Sequence, residues 1–110
     1  MTFVPHLLPL DQGLLASSYV RLANGIGSGE VRELYEARYR HEPFVELIDE
    51  PPGVRDVRDT NLCRVHVSLD EDAGRALAFA AIDNLWKGTS SQAVQCLNLM
   101  FGFDETTGIA

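Results

Sequence analysis

Cysteine is scarce in this chain, two among 110 residues, and the pair, Cys63 and Cys96, is not spaced as C-x-x-C. That excludes the usual thiolate metal site, and because both thiols sit in apolar patterns, reduced core residues are expected; no metal ligands are assigned. Basic residues are few as well: 9 Lys and Arg against 16 Asp and Glu leave a net charge of −7. With no basic stripe interleaved with aromatics, such a surface repels phosphate backbones and argues against nucleic-acid binding. No apolar run approaches the roughly 18 residues that cross a bilayer, and the start lacks a basic segment followed by an apolar one. A cytoplasmic protein with no membrane partner is the expectation. Repeats, low-complexity tracts and flexible linkers are missing too, so residues 1–110 should form a single domain.

What is present is a set of short periodic segments. Phe3 to Leu10 carries Pro5 and Pro9, whose missing donors confine it to an edge or a connector. From Gly13, residues Leu14, Ala16, Ser18, Val20 and Leu22 alternate with Leu15, Ser17, Tyr19 and Arg21. Both faces are partly apolar, which predicts a strand inside the sheet. A loop at 24–27 leads to a helix capped by Ser28 and running to about Arg40, with Val31, Leu34, Tyr35 and Tyr39 as its buried stripe. Pro43 stops it. Phe44 to Ile48 reads as a short strand and Val54 to Asn61 as a loop. Cys63 to Leu69 and Ala76 to Ile82 flank turn chemistry at Asp70 to Gly74, the pattern of a hairpin. The order strand, helix, three strands, helix predicts an α+β fold, a largely antiparallel sheet with helices on one face.

The stretch from Ala80 to Met100 organises the rest. Its apolar run breaks at Asp83-Asn84, passes Lys87-Gly88 and resumes at helical spacing with Ala93, Val94, Leu97 and Phe101 on one side. Thr89 and Gln92 fit a capping box, and Gly102 fits a left-handed stop. Polar side chains at a strand end, followed by the free first amides of a helix, make a ligand platform. An ordinary strand–loop–helix connection explains the same pattern.

Residues 81–109, AIDNLWKGTSSQAVQCLNLMFGFDETTGI, closely resemble the carboxyl-terminal signature of the N-acetyl-γ-glutamyl-phosphate reductases. Phe3 to Leu7 is similar to that family's FTPHL, Gly13 to Ala16 to its GILA, Tyr35 to Phe44 to its helix and following strand, and Asp56 to Asn61 to its DVRGSN. The resemblance implies the last part of a two-domain, NADP-dependent enzyme of arginine biosynthesis. Its fold would be similar to the carboxyl-terminal domain of glyceraldehyde-3-phosphate dehydrogenase-like enzymes, and its dinucleotide-binding domain is absent from this chain. In that family a cysteine attacks the acyl phosphate and NADPH reduces the resulting thioester to the semialdehyde. The family's G-C-Y and H-R-H-x-P-E segments do not occur here, nor does a G-x-G-x-x-G loop. The resemblance therefore assigns no catalytic residue and predicts a chain inactive alone.

What it does assign is a cofactor contact at Asn84, beside the nicotinamide carboxamide, with Lys87 and Gly88 as neighbours. A side-chain amide suits that role because it both donates and accepts, and a strand or helix cap is its structural alternative. His6, held between prolines, is a candidate beside the substrate; His41 and His66 read as structural. The implied partners are an acyl phosphate, the same chain's dinucleotide-binding domain and further copies in a homo-oligomer, with apolar surface near Trp86, Val94 and Met100 left exposed. Gln12 stands where the family often has arginine, which leaves open reductases of carrier-bound glutamyl or aminoadipyl phosphate. A small non-catalytic oligomerisation or interaction module is the other reading.

Overall fold

In the computed structural model, which describes residues 2–23 and 25–109, the fold grows from one hairpin. Asn24 of the expected 24–27 loop lies outside the described residues. β3 (Cys63–Asp70) and β4 (Arg75–Ile82) pair antiparallel along their whole length. Their turn closes through the Asp70 carboxylate, which accepts from the Ala73 amide at 3.0 Å, and through Gly74 at φ +59°. The register sets Cys63, Val65, Val67 and Leu69 beside Ile82, Ala80, Ala78 and Ala76 on one face. That face carries the core.

β1 (Leu14–Arg21) pairs antiparallel with β4, and β2 (Val45–Leu47) pairs parallel with β3, so the sheet order is β1-β4-β3-β2. The sheet is therefore mixed. β1 and β2 run in the same direction on opposite edges, and α1 (Ser28–Tyr39) makes the crossover that a connection between like-directed strands requires. Packed on β3 and β2, α1 brings Val31 into the cluster of Val65, Val67 and Ala76, with Tyr35, Val45, Leu47 and Cys63 packed around it. Its cap is Gly27, whose amide is held by Glu30 Oε2 at 3.1 Å, and Ser28 is the first helical residue. Leu34, expected in the buried stripe, is 63% exposed because the contact line runs through i and i+4, from Val31 to Tyr35.

Three further expectations are corrected. β1 is an edge strand, exposed at every residue, where an interior strand was predicted. Residues 54–61 include one turn of 3₁₀-helix, Val54–Val57, that packs against β4 and buries Val57 completely. The helices do not both pack on the sheet: α2 (Ser91–Phe101) packs mainly on the turn that leads into it. The apolar surface expected to stay exposed near Trp86, Val94 and Met100 is exposed. Ser91, Gln95 and Asn98 are buried, while Ala93, Val94, Leu97 and Phe101 face outward. Gly102 ends α2 at φ +72°, as expected, and Cys96 is exposed on it and not a core residue.

Among the described residues α1 covers only one face of the sheet, and much of the other is open. His66 stacks on Phe79 there, Arg64 pairs with Glu46 at 2.7 Å, and Leu15 and Tyr19 are more than half exposed. No described helix is long and apolar enough to cross a membrane.

Candidate functional site

The end of β4 is organised by a buried carboxylate. Asp83 has no exposed surface, and its Oδ1 accepts from the amides of Leu85 at 2.8 Å and Trp86 at 3.1 Å. Its Oδ2 accepts from the Asp59 amide at 2.7 Å and from the Gln12 side chain. Burial pushes the Asp83 pKa up, but these amides and Gln12 outweigh it and hold the carboxyl below its ordinary value. One side chain thus ties together the amino-terminal segment, the loop after the 3₁₀ turn and the exit from β4. Asp59 sits at φ +58° to offer its amide, a conformation that a short polar residue tolerates.

Asn84 makes the second tie. Its Oδ1 accepts from the Gly13 amide at 2.6 Å, fixing the start of β1 to the end of β4. Gly13 has φ +121°, and a Cβ there would stand 2.5 Å from Val54 Cβ, so only glycine fits. Among the described residues Asn84 Nδ2 has no protein acceptor, so the tie to Gly13 uses only the oxygen end of the amide.

From here the chain enters α2 through a wide π-turn, Trp86–Ser90. Gly88 donates its amide to Asp83 O at 2.9 Å and Ser90 to Leu85 O at 3.1 Å. A Cβ at Gly88 would lie 3.4 Å from the Asp83 carbonyl, an ordinary contact, so a small side chain fits there. The expected capping box is not formed. Thr89 Oγ1 donates backward to Asn84 O at 2.7 Å, Gln92 Nε2 donates to Cys96 Sγ at 3.4 Å, and the cap residue is Ser90. The π-turn has already bonded the amides of Ser90 and Ser91, and Asp83 holds those of Leu85 and Trp86. An anion platform of free helix amides is therefore not present at these positions.

Lys87 turns inward. Its Nζ donates to Gln95 Oε1 at 2.5 Å and sits 5.2 Å from the centre of the Phe44 ring. Asn61 Nδ2 donates to the same oxygen at 3.0 Å, Ser91 Oγ donates to Asn61 Oδ1 at 2.6 Å, and Gln95 Nε2 donates to Glu105 Oε1 at 2.5 Å. Burial holds the Lys87 pKa below its ordinary value, and neighbouring Cys63 and Glu105 offset only part of that. Through this network the polar face of α2 is satisfied inside the chain. His6 is apart from all of this, on the exposed amino-terminal segment with Nδ1 3.1 Å from Val4 O. His66 takes Ile48 O on the uncovered sheet face.

A model of the semialdehyde dehydrogenase dimerisation domain matches residues 1–84, from the amino-terminal segment to Asn84. The chain belongs to that family. Among curated proteins, this dimerisation domain is 43% identical to the N-acetyl-gamma-glutamyl-phosphate reductase of Dehalococcoides mccartyi over 109 residues, covering 99% of the chain. It is 44% identical to the protein of the same name from Pelotomaculum thermopropionicum over its whole length, and 48% identical to that from Desulforudis audaxviator over 99% of it. It spans 32% of the length of each of these relatives.

Of the residues expected at a site, the dimerisation domain brings Asn84 and Gly88 together at one turn, and turns the third, Lys87, into a buried network. Asp83, Gln12 and Asp59 were not anticipated in these roles. The available signal was the polar pair Asp83-Asn84 directly after an apolar strand, since a carboxylate at a strand end is placed to collect backbone donors.

Proposed function

We propose that this chain is the carboxyl-terminal domain of an N-acetyl-γ-glutamyl-phosphate reductase, an NADP-dependent cytoplasmic enzyme of arginine biosynthesis. The observation that carries the reading is identity of 43–48% over at least 99% of the chain to three proteins of that name, with the D-N-L and K-G elements at one ordered turn. In this reading NADPH, bound mainly by a dinucleotide-binding domain outside this chain, supplies the hydride. Asn84 donates from Nδ2 to the carboxamide oxygen and so orients the ring, with Gly88 as its neighbour in the same turn. The acyl phosphate is met by residues of the rest of the protein, with His6 as this chain's candidate beside it. The layer of helix on sheet is that of the glyceraldehyde-3-phosphate dehydrogenase-like carboxyl-terminal domain.

Two apolar surfaces support the assembly half of the proposal. α2 presents Val94, Leu97 and Met100 outward, with Trp86 beside them, which fits docking against the dinucleotide-binding domain. The uncovered sheet face, with Leu15 and Tyr19, fits contact with a second copy, in keeping with a dimerisation domain. An isolated domain that associates but does not catalyse is the second reading.

The test is direct. NADPH oxidation with N-acetylglutamyl phosphate is measured for the full-length polypeptide and for this chain alone. Turnover by the former and none by the latter is expected; turnover by neither refutes the reductase reading, and turnover by the chain alone refutes its dependence on the other domain. Light scattering on the chain with and without Tyr19→Lys checks association. A monomer at every concentration, with or without the substitution, counts against the sheet-face contact.

A further inference from the structure

We infer that Lys87 is a positioning residue: it contacts no cofactor, and through Gln95 and Glu105 it anchors the Asn84 turn to the carboxyl-terminal tail. The inference rests on the reading of Asn84 as the nicotinamide contact, and its argument is geometric. Lys87 lies three residues after Asn84, in the π-turn whose first closing bond, Gly88 N to Asp83 O, spans Asn84 itself. From this turn the Lys87 side chain runs inward to the Phe44 ring and to Gln95 Oε1. Both ends of the Gln95 amide are then in use, the oxygen by Lys87 and Asn61 and the nitrogen by Glu105.

The tail is clamped at a second point. Asn98 Nδ2 donates to Glu105 O at 3.2 Å and to Thr107 O at 2.9 Å. A positive charge at Lys87 and a negative charge at Glu105 are thus joined through one amide, each polarising it toward the other. A π-turn has the looser ladder of a wide helix, so a side-chain anchor is what holds its shape. Lys87 is that anchor, and the order of residues 104–107 becomes a condition for the placement of Asn84.

The test uses the full-length reductase with Asn84→Ala, Lys87→Met, Lys87→Arg, Gln95→Met and Glu105→Gln. Lys87→Met, Gln95→Met and Glu105→Gln should each lower kcat by about ten- to a hundredfold, the range covered by one hydrogen bond to a charged group. The Kd for NADPH should stay within about twofold, because none of the three touches it. Pairing Lys87→Met with Glu105→Gln should be no worse than the worse single change, since both break one chain of contacts. Should Lys87→Met fail to fold, Lys87→Arg and Glu105→Gln carry the test, the latter removing one charge with little change of shape.

A rise in NADPH Kd of about tenfold or more for Lys87→Met, with Glu105→Gln at the wild-type rate, would make Lys87 a cofactor contact and overturn the inference. Slow turnover by Asn84→Ala with all three network variants at full rate also overturns it, and leaves the Asn84 reading standing. If Asn84→Ala turns over normally, the Asn84 reading falls. The anchor is then judged on Trp86, the single tryptophan of residues 1–110, which lies inside the turn, in full-length protein whose other tryptophans are replaced by phenylalanine. Acrylamide should quench it more strongly in Glu105→Gln than in wild type, and equal quenching refutes the anchor.

Discussion

Replacing Asp83 by alanine should cost this domain most of its stability. The substitution removes one acceptor from each of three backbone amides, those of Asp59, Leu85 and Trp86, at a position with no exposed surface. A stranded buried amide costs about 1–3 kcal/mol, so three set a loss of about 3–6 kcal/mol once water has entered part of the space. Domains of this size hold about 5–15 kcal/mol in total and lose about 4–8 °C of Tm per kcal/mol, so Tm should fall by about 15 °C or more. Asp83→Asn keeps the shape and one oxygen, and should lose about half as much.

The pH dependence adds a second readout. Because the folded-state pKa of Asp83 is held down, its charge contributes stability that is present above the unfolded carboxyl's value, about 3.9, and is lost as pH falls through the lower folded value. Urea denaturation at pH 7 and at steps below pH 5, followed by Trp86 emission, measures both effects. Wild type should lose stability along the acid limb, and Asp83→Asn should lose less there. Tm values for the two variants within about 3 °C of wild type, or parallel acid limbs, would refute the account of Asp83 as the tie between three segments.

Other substitutions test the remaining contacts. Gly13→Ala forces a side chain into Val54 at a positive φ and should cost about 2–4 kcal/mol, read as a Tm drop by circular dichroism; Val54→Gly in the same chain should recover only part of it, because the backbone conformation stays unfavourable. On α2, Leu97→Lys should leave Tm within a few degrees because the residue is half exposed, whereas Asn98→Leu should lower it by about 1–3 kcal/mol equivalent by stranding the carbonyls of Glu105 and Thr107. Thiol titration at pH 8 should be biphasic, with exposed Cys96 reacting first and half-buried Cys63, whose thiol burial pushes up, lagging by about tenfold or more.

Local pattern determined the elements. Alternation from Cys63 to Leu69 and again from Ala76, with Asp70 and Gly74 between, is sufficient for the β3–β4 hairpin, because a pleated strand sorts its side chains by parity. The π-turn was not visible because its bonds run from residue to residue five apart and leave no compositional mark. Of the site, the Asp83-Asn84 break and Gly88 were legible as chemistry at a strand end. The Asp83 donors were not, since Gln12 lies 71 residues away in sequence and Asp59 24.

Only the tertiary structure decided which surfaces are covered. Alternating apolar faces report that β1 has two sides to bury, but not whether its outer hydrogen-bonding edge has a neighbour, and among the described residues it has none. The spacing of Ala93, Val94, Leu97 and Phe101 reports that α2 is amphipathic. Which half turns inward depends on the partners available, and here the network of Lys87, Gln95, Asn61 and Glu105 satisfies the polar half. Periodicity is a property of consecutive residues, whereas burial is a property of what folds against them. That difference is why the helix was legible in its spacing and the partners of its polar face were not.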